Sequence, residues 1–198
     1  MNKRVIWTIL LFFALAVVMA SCAAFKTKPT EANFKNPIIK LESFEVPQYD
    51  GYWYFSKKVK PTKGEAGNRG APLPMSFLFA ITNPNPYPVL LEEIKFTVAF
   101  DKDFELVTFN IADDYWIPAG KTDYVRCTTM ITTRSALLSL LVTGGFKLKA
   151  KGWNVWQALE RWWKGVPEFK VPITVKEGAF TFTADGVTRV LPFEANFP

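Results

Sequence analysis

The stretch Ser76–Val89, SFLFAITNPNPYPV, decides the fold. With Met75 before it, Phe77, Phe79 and Ile81 fall on one side of an extended chain and Ser76, Leu78, Ala80 and Thr82 on the other. This period of two belongs to a strand. The strand has to end at Asn83-Pro84-Asn85-Pro86-Tyr87-Pro88, because a proline has no N–H to give a ladder. Asn83 and Asn85 suit the turn, since their side chains hydrogen-bond backbone groups that the strand end leaves open.

The same grammar extends in both directions. Upstream, Ile38–Val46 alternates, with Ile39, Leu41, Phe44 and Val46 apolar between charges. Between that strand and Met75 lies an insertion, 49–74, an aromatic cluster (Tyr49, Tyr52, Trp53, Tyr54, Phe55) followed by a Lys-, Gly- and Pro-rich loop. Downstream, Leu91–Phe100 and Phe104–Ile111 form a hairpin about Asp101-Lys102-Asp103. After the Ile117–Thr122 turn, Asp123–Thr132 places Val125, Cys127, Thr129 and Ile131 on one face, which makes Cys127 a small buried hydrophobe. Strands at Glu168–Val175, Ala179–Thr183 and Val187–Phe193 close the chain, with turns at Glu177-Gly178 and Asp185-Gly186.

Two short helices interrupt the strands. Thr133 or Ser135 caps a Leu-rich one, Ala136–Val142, stopped by Gly144-Gly145. The other spans 153–164. Its Asn154, Gln157, Glu160, Arg161 and Lys164 take one side, and Val155, Trp156, Ala158, Leu159, Trp162 and Trp163 the other. About eight short strands without a fixed-period repeat predict a mainly β, antiparallel sandwich.

From Ile38 through SFLFAITNPNPYPV to Phe193 the chain resembles the late-embryogenesis-abundant type-two family, the water-stress and hypersensitive-response (WHy) domain. Its hallmark is a hydrophobic strand running into an Asn-Pro-Asn turn, here Asn83-Pro84-Asn85. The resemblance implies an immunoglobulin- or fibronectin-III-like sandwich over 37–198 and a role in desiccation or osmotic protection. For some relatives it implies a lipid-binding groove. It supplies no catalytic residues.

The N-terminus points to export. Met1-Asn2-Lys3-Arg4 is a basic n-region, and Val5–Ala20 is uncharged and apolar but slightly short for a span. Met19-Ala20-Ser21-Cys22 resembles the cleavage box of bacterial lipoproteins. That resemblance implies a signal peptide at 1–21 and a diacylglycerol thioether plus an amide-linked acyl chain on Cys22, enough for stable anchoring. The alternative is an uncleaved spanning anchor with Cys22 unmodified. Residues 22–36 read as the lipidated cysteine and a polar tether. Ala23, where an Asp would signal inner-membrane retention, favours the outer membrane of a two-membrane envelope. With Cys22 acylated, Cys127 has no partner, so disulfides are not expected.

The chain contains no histidine, which excludes Ser-His-Asp and Cys-His nucleophilic sites and most zinc or iron sites. Gly64, Gly67 and Gly70 lack the Lys and Ser/Thr of a phosphate loop. The close Asp pairs, Asp101/Asp103 and Asp113/Asp114, have oxygens that could in principle serve calcium, but Asp101/Asp103 lies in a turn that favours Asp for its geometry alone, and no metal is expected. A net charge of +6, falling when Lys3 and Arg4 are removed, does not argue for nucleic acid.

No enzyme and no cofactor beyond the Cys22 acyl groups is therefore expected. The leading expectation is a lipid-anchored envelope protein with a stress-protective or partner-binding module. The alternatives are a hydrophobic-ligand or lipid carrier and a structural subunit docking through 49–74. The tryptophan helix has two readings. Its apolar face packs on the sandwich, or Trp156, Leu159, Trp162, Trp163 and Lys164 meet lipid, a partner or an apolar ligand.

Overall fold

In the computed structural model, which describes residues 27–49 and 71–197, the alternation at Met75–Ile81 becomes β2 (Pro72–Thr82). This strand is the centre of a three-stranded sheet ordered β1 (Ile38–Glu45), β2, β6 (Thr122–Thr132). In the second sheet, β3 (Val89–Phe100) lies between β4 (Phe104–Ile111) and β7 (Ile173–Ala184), with β8 (Val187–Phe197) beyond β7. The short β5 (Tyr115–Ile117) pairs with the start of β3. Every pairing is antiparallel. Residues 1–21, where a signal peptide is expected, Cys22 and most of the 49–74 insertion lie outside the described residues.

The two sheets face each other across phenylalanines. Met75, Phe77, Phe79 and Ile81 of β2 are fully buried, as are Phe96 of β3 and Phe180 of β7. The rings meet edge to face: Phe77–Phe96 at 5.2 Å, Phe79–Phe96 at 5.6 Å and Phe79–Phe180 at 5.2 Å between centroids. Such pairs add about 0.5–1.5 kcal/mol each beyond the area they bury. The fold is the expected β-sandwich, mainly β with two helical segments.

Four local features differ from the sequence reading. In β1 the apolar positions shift phase because Glu42 is an extra residue: Leu41 pairs with Phe79 but Ser43 with Leu78, a bulge that turns Phe44 into the core. Glu177-Gly178 is likewise no turn but a bulge inside a continuous β7, with Glu177 at φ 50°. β2 begins at Pro72, inside the expected loop; Pro72 and Pro74 pair only with β6 and lie beyond the end of β1, so one side of the strand has no partner to miss a donor there.

The Leu-rich helix is the fourth. It does not stop at Gly144-Gly145 but runs on over 133–150 as α1, built from Thr133–Ser139, a wider π segment Leu140–Gly144, and Gly145–Ala150. Both glycines keep right-handed backbone. The buried residues Ala136, Leu140, Gly144 and Leu148 recur every fourth position. In a regular helix that spacing drifts by about 40° per step, and the wider segment takes the drift back. Gly144 leaves room for its neighbour on the buried face: a Cβ there would lie 2.6 Å from Leu140 Cδ2, so the leucine side chain would have to shift. α2 (Val155–Gly165) follows, opened by a capping box in which Asn154 Oδ1 accepts from Gln157 N and Gln157 Oε1 from Asn154 N, both at 2.9 Å.

Candidate functional site

The Asn-Pro-Asn turn is a buried hub. Asn83 Nδ2 donates to the carbonyls of Tyr87, Ile117 and Pro118 at 2.8, 3.1 and 3.2 Å. Its Oδ1 accepts from Asn85 N at 2.9 Å and Asn85 Nδ2 at 3.0 Å. Pro84 between them is half-buried. Asn85 in turn clasps the chain ahead of β1: its Oδ1 accepts from Lys35 N at 2.8 Å and its Nδ2 donates to Lys35 O at 2.7 Å. Within the segment expected as a tether, residues 28–36 are docked on the sandwich. Phe34 is buried beside Tyr87, Tyr87 Oη donates to Asn33 Oδ1 at 3.0 Å, Lys28 pairs with Asp185 at 3.5 Å, and Glu31 pairs with Arg189.

The tryptophan helix resolves in favour of packing. Leu159, Trp162 and Trp163 have no exposed surface, so they neither meet a bilayer nor line a water-accessible channel. Their place follows from the period of α2, which turns them together onto the end of the second sheet, where the Trp162 ring lies 5.1 Å from Phe104 and 5.7 Å from Phe100. Trp163 Nε1 donates to Ala71 O at 2.9 Å, and its own carbonyl accepts from Tyr49 Oη. Of the five residues singled out, Trp156 and Lys164 are on the surface, Lys164 paired with Glu160.

The Asp101-Lys102-Asp103 turn serves this packing. Asp101 Oδ2 accepts from Trp162 Nε1 at 2.8 Å and from Arg161 Nε at 3.0 Å, and Oδ1 from Arg161 Nη2 at 2.9 Å. Burial by itself would raise this carboxyl, but the bonds from Arg161 and Trp162 and the charges of Arg161 and Lys151 outweigh it and hold it below the ordinary carboxylate value. Asp103 faces Lys151 at 3.7 Å. Both carboxylates are thus engaged by protein cations. Among the described residues, no three His, Cys, Asp or Glu side chains form a group fit for a metal ion.

Cys127 is buried in the sandwich, and burial pushes its thiol up to about 12. Sequence reasoning missed one surface. On α1, opposite the buried positions, Leu138 and Leu141 are exposed, and Val142 and Phe146 project with 83% and 92% exposure. The signal was present in Leu137-Leu138 and Leu140-Leu141-Val142, where apolar residues occupy more of the helix than one buried face can use. Among the described residues no helix is long and apolar enough to cross a membrane.

Fold and site together define a two-sheet β-sandwich with its N-terminal segment clasped by an Asn-Pro-Asn turn. No protein-family model matches the chain, and no curated protein does. Among solved structures it is similar to a protein from Archaeoglobus fulgidus, at 10% identity over 80% of this chain and 94% of that one, TM-score 0.42. It is similar to a protein from Bordetella pertussis provisionally assigned as ApaA, at 8% over 82% and 90%, TM-score 0.40. It is also similar to a provisionally assigned late embryogenesis abundant (LEA) protein, at 11% over 99% and 88%, TM-score 0.34.

Proposed function

We propose that this chain is a non-enzymatic envelope lipoprotein, anchored through acyl groups on Cys22, whose sandwich is a stress-protective or partner-binding module of the late-embryogenesis-abundant type-two kind. The observation that carries this reading is the Met19-Ala20-Ser21-Cys22 box at the end of the apolar run Val5–Ala20, and the clasp of Lys35 by Asn85, with the Lys28–Asp185 pair beyond it, bears on how far the domain stands from it. Only the few residues between Cys22 and Lys28 then separate anchor from domain, a reach of about 20 Å at most. A module held that close acts on the membrane surface or on what lies against it. Ala23 favours the outer membrane, and the Asn83-Pro84-Asn85 strand end supports the stress-related reading.

Mass spectrometry of the N-terminal peptide from protein extracted from its native membrane tests the anchor. The expected species begins at Cys22 and carries a thioether diacylglycerol; an unmodified peptide retaining Ser21-Cys22 overturns the reading. Survival of a deletion strain after drying or osmotic upshift, with and without the gene restored, tests the protective role.

A further inference from the structure

The ridge of Leu138, Leu141, Val142 and Phe146 is a second apolar face on a helix that has already buried its first. Four large apolar side chains in one continuous surface mark an interaction site rather than chance exposure. The charge pattern narrows the occupant. Between Thr133 and Lys151 there is no Asp or Glu, while Arg134, Lys147, Lys149 and Lys151 are all exposed. Two acids border the ridge from neighbouring strands, Glu105 and Glu177, which line one groove with Leu138 and Val142; Glu105 faces Lys176 at 3.8 Å and Glu177 accepts from Thr97 at 3.4 Å, while Asp103 faces Lys151 at 3.7 Å. An apolar stripe on a helix whose own charged side chains are all basic is the pattern of a helix lying in an anionic bilayer interface.

We infer that α1 is an in-plane membrane helix, seated in the headgroup layer of an anionic bilayer through Leu138, Leu141, Val142 and Phe146. The inference goes beyond the proposed anchor and needs only a membrane. Combined with that anchor it sets the orientation of the domain. The clasped segment meets the sandwich at the Asn83–Tyr87 end, whereas α1 packs beside β4, with Ser139 Oγ donating to Leu106 O at 3.3 Å, toward the opposite end of β3. The strand between them is about 36 Å long. Both points reach one plane when the strands lie along the bilayer. Two weak contacts on one rigid body then reinforce each other through effective concentration.

Full-length protein carrying its anchor, reconstituted in phosphatidylcholine–phosphatidylglycerol vesicles with nitroxide-labelled lipid, provides the test. A fluorophore is placed on Val142→Cys, and for comparison on Val190→Cys of β8, an exposed position on the far edge of the same sheet. Insertion of the apolar face to about 5–10 Å predicts about threefold stronger quenching at 142 than at 190. Adding Leu141→Glu and Phe146→Glu, both at exposed positions, should bring 142 down to the level of 190. Equal quenching at both positions in protein that floats with the vesicles overturns the inference and leaves the anchor intact. Protein that fails to float overturns both. Unquenched label with a doubled particle mass assigns the ridge to a second copy, and this also overturns the inference.

Discussion

Trp162 Nε1 donates to Asp101 Oδ2 at 2.8 Å, so the turn between β3 and β4 receives the indole of a helix lying some sixty residues further along the chain. Asp101 stands at φ 48°, a left-handed backbone that Asp and Asn tolerate better than most residues. Asp101→Asn therefore removes the charge without adding backbone strain. It should cost about 1.5–3 kcal/mol near neutral pH in chemical denaturation. The folded carboxyl titrates below its unfolded value, so its stabilisation is complete above the unfolded value and is lost as pH falls through the folded one. The gap between wild type and variant should close below about pH 4. Trp162→Ala should cost about 3–5 kcal/mol.

The two asparagines of the turn should separate in their effects. Asn83→Asp turns an oxygen toward the carbonyls of Tyr87, Ile117 and Pro118 and should cost about 3 kcal/mol or more. Asn85→Ala frees Lys35. Its stability loss should be smaller, about 1–2 kcal/mol, with faster tryptic cleavage after Lys35 in limited proteolysis.

Cys127 should be silent to thiol reagents in the folded protein and appear on denaturation, at a labelling rate that reports opening of the sandwich. Its folded thiol is pushed up to about 12 from an ordinary value of 9.0. The unfolded chain therefore loses the proton first, and stability falls as pH rises past that ordinary value. Cys127→Ala should flatten this alkaline slope; the part that remains at higher pH belongs to the phenols that burial raises, Tyr49, pushed up to about 12, together with Tyr87 and Tyr115.

Glycines of β7 and its hairpin should differ for steric reasons. A Cβ on Gly178 would lie 2.3 Å from the backbone oxygen of Phe193, whereas one on Gly186 meets nothing within 4 Å and suffers only from φ +85°. Gly186→Ala should lower stability by about 1–2 kcal/mol. Gly178→Ala must part β7 from β8 and should lower it by more, about 3 kcal/mol, with loss of amide-exchange protection along that pair.

Periodicity was legible wherever one face of an element is buried. Phe77, Phe79 and Ile81 announced β2 because side chains alternate across a strand, and Trp162 and Trp163 announced the core face of α2 in the same way. The bulges at Glu42 and at Glu177-Gly178 were not legible as bulges, because an extra residue only shifts the phase of a pattern and its partner strand lies elsewhere in the chain. Nor was the continuation of α1 through Gly144-Gly145, a pair that alone reads as a stop.

Alternation of apolar residues within each strand, the strand end at Asn83-Pro84-Asn85 and the amphipathic period of α2 could be read from the chain, since each depends on neighbours a few positions apart. Tertiary structure decided the rest. It pinned residues 28–36 to a turn some fifty positions away, buried Trp162 and Trp163 where the same amphipathic helix could have met lipid, and left Leu138, Leu141, Val142 and Phe146 outside. The physical reason is that an amphipathic pattern states how much apolar surface must be covered, while only the packed arrangement of distant elements determines what covers it.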